Sequence, residues 1–198
     1  MRRLLAVVVF SLFAALAVPT MALATHSNGQ GPAQDFLSGA AKGPVPVPCS
    51  APTSPAHFHT NGQALDNVTN EARGQFFTNI DFTTQPGGNC LGFTSASFSG
   101  EVVCVNSYLA GPDNSTNWAA RIDDVLLEPG DVPGIPGLLF AGMGVVSRHV
   151  DNGEPGVGND SAQGFTTPAP VPCNHPLLSN PFGTIPITQG NLITHLGH

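Results

Sequence analysis

The sequence predicts an all-β fold, an antiparallel β-sandwich or barrel of about seven to nine short strands held by two disulfides. The 198 residues include 23 glycines and 19 prolines, a turn-rich composition that stays below the level of low-complexity chains. Twelve phenylalanines, together with abundant Val, Thr and Ser, suit the half-buried surface of a sheet. The four cysteines form an even set, and a chain of this length can bury the core of a single domain.

Short alternating runs, separated by turn signals, give the individual strands. Turn chemistry is clearest at 86–88 and 151–153, where glycine follows proline or asparagine. A short helix is an alternative for the run that begins at Trp118, because it contains alanines and leucine. The predicted strands are 56–60, 74–82, 91–98, 101–109, 118–127, 138–150 and 192–195, with shorter ones at 162–166 and 184–187.

The first 24 residues have the pattern of a secretory signal peptide. Arg2 and Arg3 precede an apolar run over 4–18, and Ala22 and Ala24 supply the small-residue cleavage pattern. Residues 1–24 are therefore expected to be removed, 25–42 to form a flexible lead-in, and 43–198 to form a single β domain. The mature protein is predicted to be secreted, extracellular or periplasmic, without a membrane anchor.

The negative net charge and the absence of known catalytic motifs restrict the classes of function that the sequence supports. Six basic residues against 13 acidic ones give a net charge of −7, so phosphate backbones would repel the chain and nucleic acid is not an expected partner. No nucleophile elbow, phosphate-binding loop or H-E-x-x-H motif occurs. The sequence favours a non-enzymatic binding, cell-surface or structural role, with an extracellular ligand or protein partner that it does not identify.

In an exported chain, the four cysteines are expected to be disulfide-bonded rather than metal ligands. They lack C-x-x-C spacing, which argues against a zinc site. Three pairings are possible. We favour Cys90 with Cys104, because the two flank alternating runs that would form a hairpin. Cys49 is then expected to pair with Cys173, since each ends a segment of alternating prolines.

His57 and His59 are the candidate ligands for a transition metal. Side chains alternate along a strand, so an H-x-H pair directs two imidazoles to the same side. His149 or His175 would have to supply a third ligand, and the alternative enzyme function is a metal-dependent extracellular enzyme using this pair. The other interpretation is a solvent-facing histidine pair with Phe58 in the core.

The loop after Val150 is the candidate calcium site. Asp151, Asn152, Glu154 and Asp160 carry hard oxygen donors of the kind that calcium binds, and glycines and prolines bend the backbone between them. The spacing is not that of an EF-hand, and such residues also form ordinary turns. Calcium is the one cofactor that we consider; no other is expected.

The segment 145–160 contains the pattern D-N-G-E-P-G-x-G-x-D over 151–160. It resembles a recurring pattern in an uncharacterised family of secreted bacterial β-domains. Val103-Cys104-Val105 is similar to a strand that precedes the pattern there, and the segment 190–195 is similar to a closing strand. The resemblance implies export and a β fold, and it brings no known activity or catalytic residues.

Overall fold

A single antiparallel sheet accounts for all the strands in the part of the chain that the structure describes. The computed structural model describes residues 35–66, 68–106, 115–131, 134, 139–153, 159–174 and 184–195. The nine strands are β1 Phe36–Pro46, β2 Thr53–Ala64, β3 Ala72–Asp81, β4 Phe93–Asn106, β5 Ser115–Pro129, β6 Gly144–Val150, β7 Ser161–Thr167, β8 Ile185–Pro186 and β9 Gln189–His195. None of the described residues belongs to a helix long and apolar enough to cross a membrane.

The sheet curls into a half-barrel. Its strand order is β8-β7-β6-β5-β4-β3-β2-β1-β9, so β8 and β9 are the two edge strands. These edge strands are consecutive in the chain, with only Ile187 and Thr188 between them. The backbone N–H of Thr188 donates to the carbonyl of Lys42 in β1, and the N–H of Ile187 donates to the carbonyl of Asp160 beside β7. The sheet therefore bends far enough that Ile187 and Thr188, which connect β8 to β9, contact both the start of β7 and strand β1.

Alternation along the strands separates the two faces of the sheet. In β2, Ala56, Thr60 and Ala64 are buried whereas His57 and His59 are exposed. This is the pattern that a sheet with one covered face requires. The largest core cluster lies on the covered face and consists of Leu37, Ala64, Phe76, Phe98, Val102, Val105, Trp118, Ala120, Ile122, Met143 and Val145.

The strand predictions are confirmed in outline, with four differences. The predicted strand 138–150 begins only at Gly144, as β6, because 141–142 form a turn. Phe36 and the residues up to Lys42, expected in the flexible lead-in, form the first part of β1, and Leu37 there is fully buried. The predicted strands 91–98 and 101–109 form one strand, β4. The region around Trp118 is strand β5 and not a helix. Residues 1–34, which include the predicted signal peptide, lie outside the described residues.

The disulfide pairing predicted from the sequence is wrong. The bonds join Cys49 to Cys90 and Cys104 to Cys173, with Cα–Cα distances of 5.6 Å and 5.3 Å. The physical reason is the length of β4, which begins at Phe93 just after Cys90 and carries Cys104 near its far end. The strand from Phe93 to Cys104 spans about 36 Å, far beyond the reach of a disulfide. Two disulfides themselves are confirmed, and they are typical of an oxidising, extracellular environment.

Candidate functional site

A cavity of about 520 Å³ lies within the curl of the sheet. Strands β1 to β8 all contribute residues to its wall, which only the inner side of the curl allows. The wall is mostly apolar, and none of the described residues that line it is Asp, Glu, Lys or Arg. Its side chains include Phe58, Ile80, Phe82, Phe93, Phe98, Trp118, Leu127, Leu139, Val145, Phe165 and Ile185.

The strand pattern explains why the wall is apolar. In β6, Val145, Ser147 and His149 all line the cavity, as alternate residues of one strand should. In β3, Thr78 and Ile80 do the same, while Phe77, which precedes Thr78, is 44% exposed on the other face. In these two strands one face supplies the wall, whereas in β7 the consecutive residues Gly164, Phe165 and Thr166 all line it.

Two polar atoms in this wall have no hydrogen-bond partner among the described residues. These are Trp118 Nε1 and His149 Nδ1, each with less than 1 Å² of exposed surface. Both side chains are almost completely buried, at 4% and 1% exposure. Buried polar groups nearly always have a partner, and an unsatisfied one costs about 1–3 kcal/mol. Ser147 differs, because its hydroxyl donates to the carbonyl of Gln163 at 2.5 Å.

The two unpartnered groups are neighbours. The rings of Trp118 and His149 pack edge to face, with centroids 5.5 Å apart, and the ring of Phe58 lies 6.5 Å from that of His149. Burial lowers the pKa of His149 from 6.5 to about 3, because the apolar surroundings disfavour the charged imidazolium. The cavity wall therefore contains a neutral imidazole beside an indole, and the unpartnered nitrogen of each ring is covered by neighbouring atoms.

His57 and His59 lie away from this cavity. Both are exposed, and with Lys42, Phe77 and other residues they line a shallow depression on the outer face. Phe58 between them contacts His149 on the inner face, so His149 is on the wrong side of the sheet to join them. His175 lies outside the described residues, and among those described no group of three His, Cys, Asp or Glu side chains is arranged to hold a metal.

The carboxylates of the candidate calcium loop bind backbone N–H groups. Asp160 Oδ1 accepts from the N–H of Asn152 and Oδ2 from the N–H of Leu192, each at 2.9 Å. Asp151 Oδ1 accepts from the N–H of Gly153 at 2.9 Å, and its Oδ2 accepts from the N–H of Thr194 at 3.2 Å.

These bonds connect two distant parts of the sheet. Leu192 and Thr194 belong to β9, an edge strand whose described ladder is with β1. Asp151 and Asp160 are the first and last residues of the connection between β6 and β7. Asp160 is 2% exposed. Glu154 lies outside the described residues. In this arrangement the two aspartates anchor β9 across the curl.

Comparison with known proteins identifies no relative: no family model, curated protein or solved structure matches the chain. The class of protein is therefore defined by the molecule itself, as an all-β domain with two disulfides and an apolar cavity inside a curled sheet. The resemblance of 151–160 to secreted bacterial β-domains stays a prediction.

Sequence reasoning named His149 only as a third metal ligand and gave Trp118 no functional role. The period-two pattern of their strands could have placed each on a covered face. It could not have placed the two side by side, because β5 and β6 are joined through a connection that the sequence does not orient.

Proposed function

We propose that this protein is a non-enzymatic, extracellular binding domain that holds a small, mostly apolar molecule in the cavity of its curled sheet. The observation that carries the proposal is the cavity of about 520 Å³ with its aromatic and aliphatic wall. Pockets that take small molecules typically measure about 300–1,000 Å³ and combine an apolar lining with a few polar groups. Trp118 Nε1 and His149 Nδ1 would be those polar groups.

The energetic argument is the removal of apolar surface from water. Burial of apolar area contributes roughly 25 cal/mol per Å², so a ligand that buries a few hundred Å² gains several kcal/mol before its losses of freedom. An oxidising environment, which the two disulfides suggest, fits a domain that meets its ligand outside the cell.

A fluorescent apolar probe tests this proposal. N-phenyl-1-naphthylamine should bind saturably to the oxidised protein, one molecule per chain, with increased emission. Thr78→Phe places a larger side chain in the cavity and should weaken probe binding at least about tenfold, because the phenyl ring occupies volume that the probe needs.

Gln75→Phe is the matched control. It adds the same side chain on the same strand, but at an exposed position that does not line the cavity, so probe binding should stay as in the wild type. Equal weakening by both substitutions, or no saturable binding by the wild type, would contradict the proposal.

A further inference from the structure

We infer that the ligand carries an uncharged hydroxyl group, which lies between Trp118 and His149 while its hydrocarbon part fills the rest of the cavity. This inference rests on the proposed function and names the chemical class of its ligand, an aliphatic or alicyclic alcohol. The observation behind it is the pair of unpartnered nitrogen atoms on two neighbouring rings of a mostly apolar wall.

The hydrogen-bonding chemistry of the two rings selects the hydroxyl. An indole N–H is a donor only, so the ligand must present an acceptor to Trp118. A neutral imidazole nitrogen is either a donor or an acceptor, depending on the tautomer. A hydroxyl both donates and accepts, so it satisfies Trp118 Nε1 and His149 Nδ1 with either tautomer. A halide or a hydrocarbon end would leave the nitrogens without a strong partner.

The charge of the wall excludes an ionised head group. In the part of the chain that the structure describes, no Lys or Arg lines the cavity, and the lowered pKa of His149 keeps its imidazole neutral near pH 7. A carboxylate would therefore be desolvated without a counter-charge, which is far costlier than burying a hydroxyl.

The two nitrogen atoms have already lost their contact with water in the folded chain. A ligand hydroxyl therefore gives them a partner without a further desolvation penalty on the protein side. Because each nitrogen is covered by its neighbours, a hydroxyl in the cavity reaches it only if the Trp118 or His149 ring rotates.

Three ligands of equal chain length test the inference by displacement of N-phenyl-1-naphthylamine near pH 8. We expect 1-decanol to bind about five- to tenfold more tightly than 1-chlorodecane, as one to two hydrogen bonds would give, and decanoate to bind more weakly than both. Decanoate binding as tightly as decanol, or chlorodecane binding equally well, would overturn the inference.

Two variants assign the preference to these residues. Trp118→Phe and His149→Phe each keep an aromatic ring and remove the polar nitrogen, so each should reduce the decanol-to-chlorodecane preference about threefold or more. The preference is a ratio measured on the same variant, so changes in cavity size affect both ligands alike.

A preference that is unchanged in both variants would overturn the inference even if decanol binds well. His149→Gln serves if His149→Phe does not fold, and it should lower the same ratio because the amide cannot occupy the same position as the imidazole nitrogen. Absence of probe binding to the wild type would instead contradict the cavity proposal, so the two failures are distinguishable.

Discussion

Acid should destabilise this protein through His149, and the size of the effect follows from its burial. The pKa of His149 is lowered to about 3 in the folded chain, against 6.5 for an ordinary histidine. Above pH 6.5 the imidazole is neutral in both states and adds no pH dependence. As the pH falls below 6.5, His149 is protonated in the unfolded chain but stays neutral in the folded chain. The free energy of unfolding therefore falls by about 1.4 kcal/mol per pH unit until the pH approaches 3.

Between pH 8 and pH 5, this amounts to a loss of about 2 kcal/mol. The assay is urea denaturation of the oxidised protein at both values, with His149→Gln measured beside the wild type. Carboxylates titrate in both proteins, so the difference between their pH dependences isolates His149. His59→Gln is the control, because that imidazole is exposed to solvent on the outer face.

The wild type should lose about 2 kcal/mol more than His149→Gln over this range, and His59→Gln should behave as the wild type does. Equal losses in the wild type and His149→Gln would refute the reasoning. So would an NMR titration in which the His149 ring protonates near pH 6.5 in the folded protein, because a buried imidazole without a counter-charge should resist it.

The disulfide pairing and the β9 anchor give two further predictions. Digestion of unreduced protein with trypsin and a glutamate-specific protease cuts the chain between Cys90 and Cys104. Mass spectrometry should then find peptide 43–71 linked to peptide 74–101, and peptide 102–121 linked to peptide 149–198. A link between 74–101 and 102–121 would contradict the fold. Asp160→Ala should lower the free energy of unfolding by about 2–4 kcal/mol in urea denaturation, because two backbone N–H groups lose a charged acceptor, whereas Asp160→Asn should cost less since it keeps one oxygen. A loss of under about 0.5 kcal/mol in the alanine variant would show that the anchor is unimportant.

The sequence predicted most strands because the alternation of apolar and polar residues is a local property. It divided β4 in two between 98 and 101, whereas Gly100 lies within one strand, at a shift of register between β4 and β5. A Cβ there would collide with the carbonyl of Arg121, so the glycine permits a bulge within one strand. The wrong disulfide pairing followed from the same error.

Strand β1 was missed because small residues conceal its alternation. Gly39 and Gly43 occupy covered positions where a Cβ would meet the backbone carbonyl oxygens of Asn191 at 2.8 Å and Pro186 at 2.5 Å. The close approach of β9 and of the β8 end requires glycine there. The remaining covered side chains, those of Leu37, Ala41 and Val45, are four residues apart and therefore do not show a period of two. Pro44 and Pro46 argue against a central strand because neither has an N–H donor, yet they lie where β1 has passed the end of its pairing with β9.

The cavity was beyond sequence reasoning because it depends on how far the sheet curls. Trp118 and His149 are 31 residues apart and become neighbours only through the pairing of β5 with β6. Likewise, Asp151 and Asp160 were predicted as calcium ligands because both carboxylates belong to one short loop of the sequence. Their hydrogen bonds to the N–H groups of Leu192 and Thr194 depend on the position of β9 in the fold, which the loop sequence does not contain.

The central claim, that a ligand enters the curl of the sheet, is tested most directly by the fluorescence of Trp118. It is the single tryptophan of the chain, and it lines the cavity. A brominated decanol quenches an indole only on contact, so titration should quench the emission saturably, at one molecule per chain, and plain 1-decanol should reverse it. Quenching that rises linearly without saturation, or that Thr78→Phe leaves unchanged, would contradict the account.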